Sequence, residues 1–252
     1  MERDTAESQR PAVSLVLPTY NEAGSIVRLL CEIDSVLSAR QIAYEALVLD
    51  DASPDGTADL VERELSAKLP VRVVRRRGPR GLALALHEGI ALATADTVIA
   101  MDADFNHDPQ ALVSLLTALD GCDVAAGSRF VPGGGMYSRT RWVGSLAMNW
   151  MIRVALRTGV HDNLSGYFAM RKRDLGRLPS AGIFTGYGDY YFRLLWYARH
   201  AGMRIVEVPV FYRSREGGSS KTPLLRTSWR YTRAALRFRA AIARERPRET
   251  LG

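Results

Sequence analysis

Two aspartates one residue apart are the strongest chemical signal in this 252-residue sequence. Asp102-Ala103-Asp104 follows directly on the apolar run Ile99-Ala100-Met101, which is typical of a buried strand. Two carboxylates at a strand end can share a hard cation, because the chain bends as it leaves the sheet. Mg²⁺ or Mn²⁺ could then bridge protein oxygens and substrate phosphates. The alternative is a solvated acidic loop in which Asp108 caps a helix starting at Pro109.

A second acidic segment, residues 50–57 (DDASPDGT), also follows an apolar run. Carboxylates at that position can accept hydrogen bonds from the base or ribose of a nucleotide, and Asp51 is the ligand candidate. A Pro-Asp-Gly turn followed by threonine is also an ordinary start of a helix. We therefore assign Asp55 and Thr57 to the helix start.

A third segment, residues 17–22 (LPTYNE), leaves the first apolar run. The face of Tyr20 could stack on a nucleobase, and Glu22 could hold the polar edge of that base. Asn21 or Glu22 could equally cap the helix that follows.

Short β-branched apolar runs alternate with helical patterns through the first half of the chain. This alternation predicts a doubly wound, mostly parallel α/β sheet with helices on both faces. Right-handed crossovers place the strand C-termini at one edge, where ligands bind, and both acidic segments fall there. The strands are predicted at Val13–Leu17, Ala46–Leu49, Val71–Val74, Val98–Met101 and Val124–Ala126. The helices are predicted at 24–37, 57–69, 81–93 and 109–119.

The second half of the chain has a different pattern. Gly133-Gly134-Gly135 predicts a flexible loop, and residues 141–158 an amphipathic helix. A polar, glycine-rich loop over 213–222 precedes a basic terminal helix. Between them we predict strands at Phe168–Met170 and Ile205–Val210 and a helix over 188–201.

Charge divides the chain more sharply than its formal net of +7 implies. Residues 1–128 carry a net charge of −9 and residues 129–252 a net of +16. This asymmetry suggests that a metal or nucleotide is handled by the first half, and an anion or an anionic surface by the second. The apolar content of 47% excludes wholesale disorder. Two cysteines, Cys31 and Cys122, lie far apart in apolar segments and predict reduced thiols.

Taken together, the three strand-end segments resemble the family 2 glycosyltransferases, which have the GT-A fold. Later segments resemble the dolichol-phosphate and polyprenyl-phosphate mannosyltransferases of that family. The resemblance covers residues 13–222. The later segments are Gly127-Ser128-Arg129, the glycine-rich loop after it, Arg141 with Ser145, Ser165-Gly166-Tyr167, and 215–221 (REGGSSK).

The resemblance implies a role for each matching residue. Asp102 and Asp104 would hold the metal, with Asn106 where many relatives have Gln as a further ligand. The nucleotide and its diphosphate would be held by Pro18, Tyr20, Glu22, Asp51, Ala103 and the backbone of Leu49. The phosphates of donor and acceptor would be lined by Arg129, Arg141, Ser145, Arg215 and Lys221. The catalytic set implied is Asp104, Arg129, Arg215 and Lys221. Arg129 and Arg215 as solvated surface residues are the alternative.

Two departures from the family pattern bear on the site. Typical members carry a lysine in the segment matching residues 77–82 (RGPRGL), so Arg80 or Arg77 would have to substitute. Asp189 lies where other family 2 enzymes position a carboxylate base. A phosphate acceptor is already anionic and needs no base, whereas a hydroxyl acceptor does. Asp189 is therefore a base or the cap of the following helix.

The terminal segment carries a stripe of arginines at helical spacing with apolar residues beside it. This pattern predicts an amphipathic helix that attracts anionic lipid headgroups. A helix packed on the domain with a solvated basic face is the alternative, and no nucleic-acid motif accompanies the charge. The stripe is Arg226, Arg230, Arg233, Arg237 and Arg244, with Leu225, Trp229 and Leu236 beside it.

The resemblance thus implies a metal-dependent, inverting hexosyltransferase that moves mannose from GDP-mannose to a polyprenyl phosphate. One alternative is an enzyme of the same fold with a UDP- or GDP-sugar and a hydroxyl acceptor, using Asp189 as base. The other is a noncatalytic subunit that binds a sugar nucleotide.

The sequence also predicts the domain organisation and location. Residues 1–12 are a disordered tail, 13–222 the catalytic domain, and 223–252 the basic helix and tail. The nucleotide-sugar half spans 13–128 and the acceptor half 129–222. No signal peptide and no stretch of 18 apolar residues is visible. We therefore expect a soluble protein, peripheral at the cytoplasmic face of the membrane or working with a membrane partner subunit.

Overall fold

The computed structural model describes residues 10–213 and 224–249, with side chains at 10–213 and 228–244. Strands and helices alternate along the first half, which confirms the predicted α/β class. The strands are β1 (Val13–Thr19), β2 (Tyr44–Asp50), β3 (Val71–Arg75), β4 (Thr97–Ala100), β5 (Val124–Ser128), β6 (Gly135–Met136), β7 (Phe168–Arg171), β8 (Ile205–Pro209) and β9 (Phe211–Tyr212). The helices are α1 (Ile26–Ser38), α2 (Thr57–Glu64), α3 (Leu82–Leu92), α4 (Ala111–Leu119), α5 (Arg139–Leu156), α6 (Lys172–Leu175), α7 (Ser180–Ile183), α8 (Tyr190–His200) and α9 (Leu224–Glu249).

Seven of these strands form one sheet in the order β3-β2-β1-β4-β7-β5-β8. All neighbouring pairs are parallel except those of β7, which runs antiparallel to β4 and β5. The C-terminal ends of the parallel strands therefore share one edge, and β7 begins at that same edge. Segments 165–167 and 101–108 consequently meet there although they are far apart in sequence.

The central strands are apolar throughout because both of their faces are covered. Residues 13–17 of β1 are all buried, and α3 approaches this strand closely. Gly89 permits that approach, since a Cβ there would overlap Val16 and Leu49. One face of the sheet packs on α1, α2 and α4, and the other on α3 and α8.

A third apolar cluster joins α5, α8 and α9. Ile152 of α5 and Ala235 of α9 are fully buried in it, beside Phe192 and Trp196 of α8. The terminal helix therefore packs on the domain through one of its faces.

Several boundaries differ from the sequence-based expectations. Gly135, expected in a flexible loop, begins β6 and pairs with β9. The second helix ends at Glu64 instead of residue 69, because the chain turns over Leu65 before β3. The fourth helix begins at Ala111, two residues late, and the fifth at Arg139, two residues early. The remaining predicted elements fall within three residues of the observed bounds.

None of the described helices combines the length and the hydropathy needed to cross a bilayer. The two cysteines are free thiols, as predicted. The predicted tail (1–12) and glycine-rich loop (213–222) lie mostly outside the described residues.

Candidate active site

The loops that follow β1, β2 and β4 are tied to one another at the strand-end edge. The N–H groups of residues 21–23 each donate at 3.0 Å to a side chain of the loop after β2 or of the first residue of α2. Those acceptors are Ser53 Oγ, Thr57 Oγ1 and Asp55 Oδ2. Ser25 Oγ donates to the carbonyl of Ala103 at 3.1 Å, which joins the first loop to the acidic loop after β4. The three predicted segments therefore form one surface.

Asp55 has the structural role that the sequence indicated. Its carboxylate accepts the N–H of Thr57 at 3.1 Å and the hydroxyl at 2.6 Å. Burial opposes ionisation, yet these bonds and the one from Ala23 lower the pKa of Asp55. Asp55 is therefore ionised, and its hydrogen bonds join the loop after β1 to the loop after β2.

Left-handed backbone conformations recur in these same loops. Asn21 (φ 59°), Ala52 (φ 55°) and Phe105 (φ 64°) each lie in one of the three, and two other non-glycine residues of the described chain share that region. A left-handed residue with a Cβ costs roughly 1–2 kcal/mol. The surrounding contacts hold this edge in a strained arrangement, a pattern common at functional sites.

The acidic loop alternates buried and half-buried residues from Met101 to Pro109. The odd-numbered residues of the loop are buried and anchor it in the core. The even-numbered residues are polar and half-buried: Asp102, Asp104, Asn106 and Asp108. The alternation leaves all four polar side chains partly exposed at this edge of the sheet.

This set of donors fits a hard cation. Asp102, Asp104 and Asn106 offer only carboxylate and amide oxygens, the ligands that Mg²⁺ and Mn²⁺ prefer. Asp104 Oδ1 accepts the N–H of Asn106 at 3.1 Å, and Asn106 Nδ2 lies 3.4 Å from Asp104 Oδ2. Asn106 therefore lies against Asp104.

His107 holds this loop from beneath. Its ring is fully buried and stacks on Tyr167 with centroids 4.6 Å apart. Nδ1 accepts the N–H of Asp102 at 2.9 Å, while Nε2 lies 2.7 Å from Tyr212 Oη and 3.1 Å from the Ser165 carbonyl. Burial lowers the pKa of His107 to about 4, so the ring is neutral at pH 7. Apart from its position in the loop, nothing in the sequence marked this residue.

Asp51 is buried and paired. One carboxylate oxygen contacts Arg76 Nη1, and the other accepts the N–H of Gly81 at 2.9 Å. Arg76 is itself buried and also contacts Glu88 through Nε at 2.8 Å. The nucleotide candidate therefore lies in an ion-paired setting that the sequence analysis missed.

Tyr20 is the exposed member of the first loop, and Arg80 covers it. The Arg80 guanidinium carbon lies 4.6 Å from the ring centroid, and Nη1 donates to the hydroxyl at 2.8 Å. Of the two arginines considered as substitutes for the family lysine, Arg80 thus lies over the candidate base-stacking residue. Arg77 is exposed.

The remaining nucleotide candidates lie at the ends of β1 and β2. Pro18 and Leu49 are cross-strand partners in the parallel register, so they sit at the same level of the sheet. Glu22 is half-buried, and its Oε2 lies 3.2 Å from Ser25 Oγ. Ser25, not Asn21 or Glu22, occupies the cap position of α1.

Arg129 lies inside the protein, not at the surface. Its Nε and Nη2 form a bidentate pair with Asp162 at 2.7 Å each, and its N–H donates to the same carboxylate. Burial alone would lower the pKa of Arg129, but the charge and hydrogen bonds of Asp162 raise it. The ring of Tyr212 lies 4.4 Å from the guanidinium carbon. The solvated alternative for Arg129 is wrong.

Arg141 and Ser145 lie on the first turns of α5. Arg141 is exposed, and Ser145 accepts from Asn149 Nδ2 through its carbonyl at 2.9 Å. Asn149 is buried, and its Oδ1 accepts the N–H of Asn163 at 2.6 Å. Asn149 thereby links α5 to the loop that carries Asp162.

Asp189 occupies the cap position of α8, but its side chain caps no helical N–H. The carboxylate instead accepts the N–H of Tyr187 at 2.7 Å and pairs with Arg193 Nη2 at 2.5 Å. These contacts fix the orientation of Asp189.

Tyr231 brings the terminal helix to this loop, which the sequence analysis did not foresee. A Cβ at position 188 would overlap its hydroxyl, so Gly188 makes room for it. Burial raises the pKa of Tyr231, and the charges of Asp189 and Asp102 raise it further. The hydroxyl of Tyr231 therefore lies beside the segment that carries Asp189.

Arg215 and Lys221 lie outside the described residues, as does the side chain of Arg226. Arg213, just before that gap, contacts Glu32 at 3.0 Å and Asp108 at 2.7 Å.

A family model described as Glycosyl transferase family 2 matches residues 14–178. The chain therefore belongs to glycosyltransferase family 2 and is a glycosyltransferase.

Curated relatives narrow the likeness to polyprenyl-phosphate mannosyltransferases. Dolichol-phosphate mannosyltransferase of Pyrococcus furiosus is 34% identical and covers 83% of this chain, which spans only 58% of that protein. Polyprenol monophosphomannose synthase of Mycolicibacterium smegmatis is 34% identical, with 82% of this chain and 79% of that protein covered. Undecaprenyl-phosphate mannosyltransferase of Micrococcus luteus is 35% identical, with coverages of 83% and 86%.

Solved structures confirm the predicted GT-A fold. Glucosyl-3-phosphoglycerate synthase from Mycobacterium tuberculosis, in complex with Mn²⁺, UDP and glucosyl-3-phosphoglycerate, matches with a TM-score of 0.67 at 22% identity. That match covers 91% of this chain and 80% of that one. Mannosyl-3-phosphoglycerate synthase from Rubrobacter xylanophilus matches with a TM-score of 0.62 at 21% identity, covering 94% and 75%.

Proposed function

We propose that this glycosyltransferase moves mannose from GDP-mannose to a polyprenyl or dolichyl phosphate with inversion, giving a lipid-linked sugar. The observation that carries the proposal is the set of three relatives at 34–35% identity, all named for mannosyl transfer to such lipids or for making their mannosyl phosphates. The paired acidic and basic residues at the strand-end edge supply the chemistry that such a transfer needs.

In this proposal the first half binds the donor. Tyr20 stacks on the base, Glu22 holds its polar edge, and Asp51 accepts hydrogen bonds from the base or the ribose. Asp102, Asp104 and Asn106 would hold Mg²⁺ or Mn²⁺. A cation bound there would offset the charge of the donor diphosphate. The half-buried, oxygen-only donor set of the acidic loop supports this assignment.

The second half binds the acceptor phosphate. An acceptor oxygen attacks the anomeric carbon in line, and the bond from that carbon to the diphosphate breaks with its electron pair leaving on the nucleoside diphosphate. Arginine presents a planar fork to phosphate oxygens. Asp162 engages Nε and Nη2 of Arg129, which leaves Nη1 as the nitrogen to reach a phosphate. Arg141, Arg215 and Lys221 would complete the cationic side.

A donor panel tests the proposal directly. The protein is incubated with polyprenyl phosphate, Mg²⁺ or Mn²⁺, and GDP-mannose, UDP-glucose or UDP-N-acetylglucosamine, and lipid-extractable sugar is measured. We expect product from GDP-mannose. Product from a UDP-sugar alone would overturn the donor assignment, and tight donor binding without any turnover would favour a noncatalytic subunit.

Asp189→Asn separates the phosphate acceptor from a hydroxyl acceptor. A phosphate oxygen needs no base, so the variant should keep transfer within a few-fold of the unmodified protein. Asp174→Asn, a buried carboxylate near the end of β7, serves as the matched control. A loss of several hundredfold in Asp189→Asn alone would favour the hydroxyl acceptor with Asp189 as base.

We further propose that α5 and α9 together bind the cytoplasmic membrane surface. Trp150 on α5 and Trp229 on α9 are 66% and 67% exposed, and Val143 and Val154 are more than half exposed. Residues 143, 147, 150 and 154 repeat at helical spacing, so α5 turns an apolar stripe outward. Exposed apolar patches of this kind mark interaction sites.

Charge favours an anionic bilayer as the occupant of this face. No acidic residue occurs at 130–161 or at 224–244. Exposed arginines lie around the apolar stripe of α5 and along α9, and arginine near an anionic leaflet contributes about 1 kcal/mol per residue. Those arginines are Arg139, Arg141 and Arg157 around α5, and Arg230, Arg233, Arg237, Arg239 and Arg244 on α9.

Quenching by brominated acyl chains tests this face, because the chain has four tryptophans. Vesicles containing anionic lipid should quench the protein, and the double variant Trp150→Phe, Trp229→Phe should lose most of that quenching. Trp142 packs on Phe130 and Trp196 is buried, so Trp142→Phe, Trp196→Phe is the control pair. Transfer to a short-chain acceptor without any vesicle binding would instead favour a membrane partner subunit.

A further inference from the structure

His107 is an unusual member of the buried row that anchors the acidic loop. The other odd-numbered residues from Met101 to Pro109 are apolar, and a histidine buried without partners would be costly. Here both ring nitrogens have partners, so the ring is accommodated at little cost. A leucine could fill such space, but it could not accept the N–H of Asp102.

The hydrogen bonds fix the tautomer of the ring. Nδ1 faces the N–H of Asp102 at 2.9 Å and must be an acceptor, so the proton of the neutral ring lies on Nε2. Nε2 then donates to Tyr212 Oη at 2.7 Å, and Tyr212 Oη donates to the Ser165 carbonyl at 2.8 Å. Every polar group in this chain of bonds has a partner.

The same chain of bonds reaches the cationic side of the site. The ring of Tyr212 lies 4.4 Å from the Arg129 guanidinium carbon, and Ser165 begins the segment that enters β7. A continuous set of contacts thus runs from Asp102 through His107 and Tyr212 to Arg129. It crosses from the acidic half of the chain to the basic half.

We propose that His107 is a positioning residue that sets Asp102 for metal binding through Nδ1 and sets Tyr212 and Arg129 for acceptor binding through Nε2. The inference rests on the metal and acceptor sites proposed above. Groups that orient metal ligands typically affect metal affinity by 10- to 100-fold.

Two isosteric variants separate the two bonds. The Oδ1 of asparagine can replace Nδ1, and the Nε2 of glutamine can replace Nε2 of the ring. His107→Asn should keep Mn²⁺ affinity within about threefold and raise the acceptor KM. His107→Gln should keep the acceptor KM and weaken Mn²⁺ binding about 10- to 100-fold. Mn²⁺ binding is measured on the folded protein by electron paramagnetic resonance, without substrates.

A merely structural role would move both quantities together in both variants. Equal effects of His107→Asn and His107→Gln on Mn²⁺ affinity and acceptor KM would therefore overturn the inference. His200→Asn is the control. His200 also has an aromatic neighbour and a carbonyl contact, both from Trp196, but it lies on α8 and not in the acidic loop. Its Mn²⁺ affinity and acceptor KM should match those of the unmodified protein.

A measurement on the unmodified protein covers the case in which the variants fail to fold. Nitrogen-15 spectra of its histidines should show His107 neutral, with the proton on Nε2. A proton on Nδ1 would overturn the inference, because that nitrogen could not then accept from Asp102. This result does not depend on catalysis, whereas failure of the unmodified protein to bind Mn²⁺ would reject the proposed metal site itself.

Discussion

The acidic loop after β4 and the surroundings of Arg129 differ in how exposed their charges are and in which residues hold them. Asp102 is 37% exposed at its side chain and Asp104 is half-buried, while uncharged anchors hold the loop from below. Arg129 is 6% exposed and is held by a second buried charge, Asp162. In the first region, uncharged buried residues support the charged side chains. In the second region, the support is itself a buried ion pair.

This difference predicts how each region responds to substitution. Removing a half-exposed carboxylate removes a ligand and leaves the support in place. Removing one member of a buried ion pair leaves an uncompensated charge, which is strongly destabilising. Activity should respond most in the acidic loop, and stability most around Arg129.

The largest expected effect is on transfer in Asp104→Ala. Without this carboxylate the site should hold its cation poorly, and transfer should fall about a thousandfold or more. The thermal midpoint should change little, because the anchors of the loop are untouched. Turnover is followed by lipid extraction, with the exposed Asp120→Ala as control. Near-normal turnover in Asp104→Ala would refute the metal assignment.

The acidic loop could be predicted from sequence because its parts are contiguous. Two aspartates and an amide lie within five residues directly after a strand end. Their short separation in sequence therefore keeps them together in the fold. The partners of Asp51 and Arg129 could not be predicted in the same way. Arg76 is 25 residues from Asp51, and Asp162 is 33 residues from Arg129. Many arginines and aspartates were available at such distances, and only the packing of the sheet selects among them.

Asp162→Ala should produce the largest loss of stability. The variant leaves the Arg129 charge unpaired in the interior and should lower the free energy of unfolding by about 3–5 kcal/mol. Chemical denaturation measures this loss. Asp174→Ala is the matched control, because Asp174 is also buried while its partners Arg173 and Arg177 are exposed. Equal losses in the two variants would show that the pair around Arg129 is no different from a half-exposed one.

Arg76→Leu should have a smaller effect on stability and a second effect on donor binding. It leaves the buried Asp51 carboxylate without its cation but with the N–H of Gly81, so the loss should fall below the ~3–5 kcal/mol of a fully uncompensated buried charge. The donor KM should rise, since Asp51 loses the contact that orients it. The neighbouring Arg75 makes only exposed ion pairs, with Asp59 and Glu62, and Arg75→Leu should change neither quantity measurably. An unchanged donor KM in Arg76→Leu would remove Asp51 from the proposed nucleotide site.

The smallest expected effect concerns backbone strain, and two matched positions isolate it. Ala52 follows β2 at the strand-end edge, and Gln41 lies in the turn before that strand, at the opposite end. Both are exposed and both have a φ of 55°. Glycine relieves the strain of a left-handed residue, at a cost in chain entropy that offsets part of the gain.

Ala52→Gly and Gln41→Gly should therefore change stability alike, each by a gain of about 1 kcal/mol or less. Only Ala52→Gly should also raise the donor KM, by a few-fold, because the loop that carries Asp51 would sample more conformations. Thermal unfolding and donor titration of the two variants measure both quantities. If Gln41→Gly raises the donor KM as much, the strain at the strand-end edge has no special part in binding. If Ala52→Gly is stabilised without any change in KM, Asp51 is held by Arg76 and Gly81 alone.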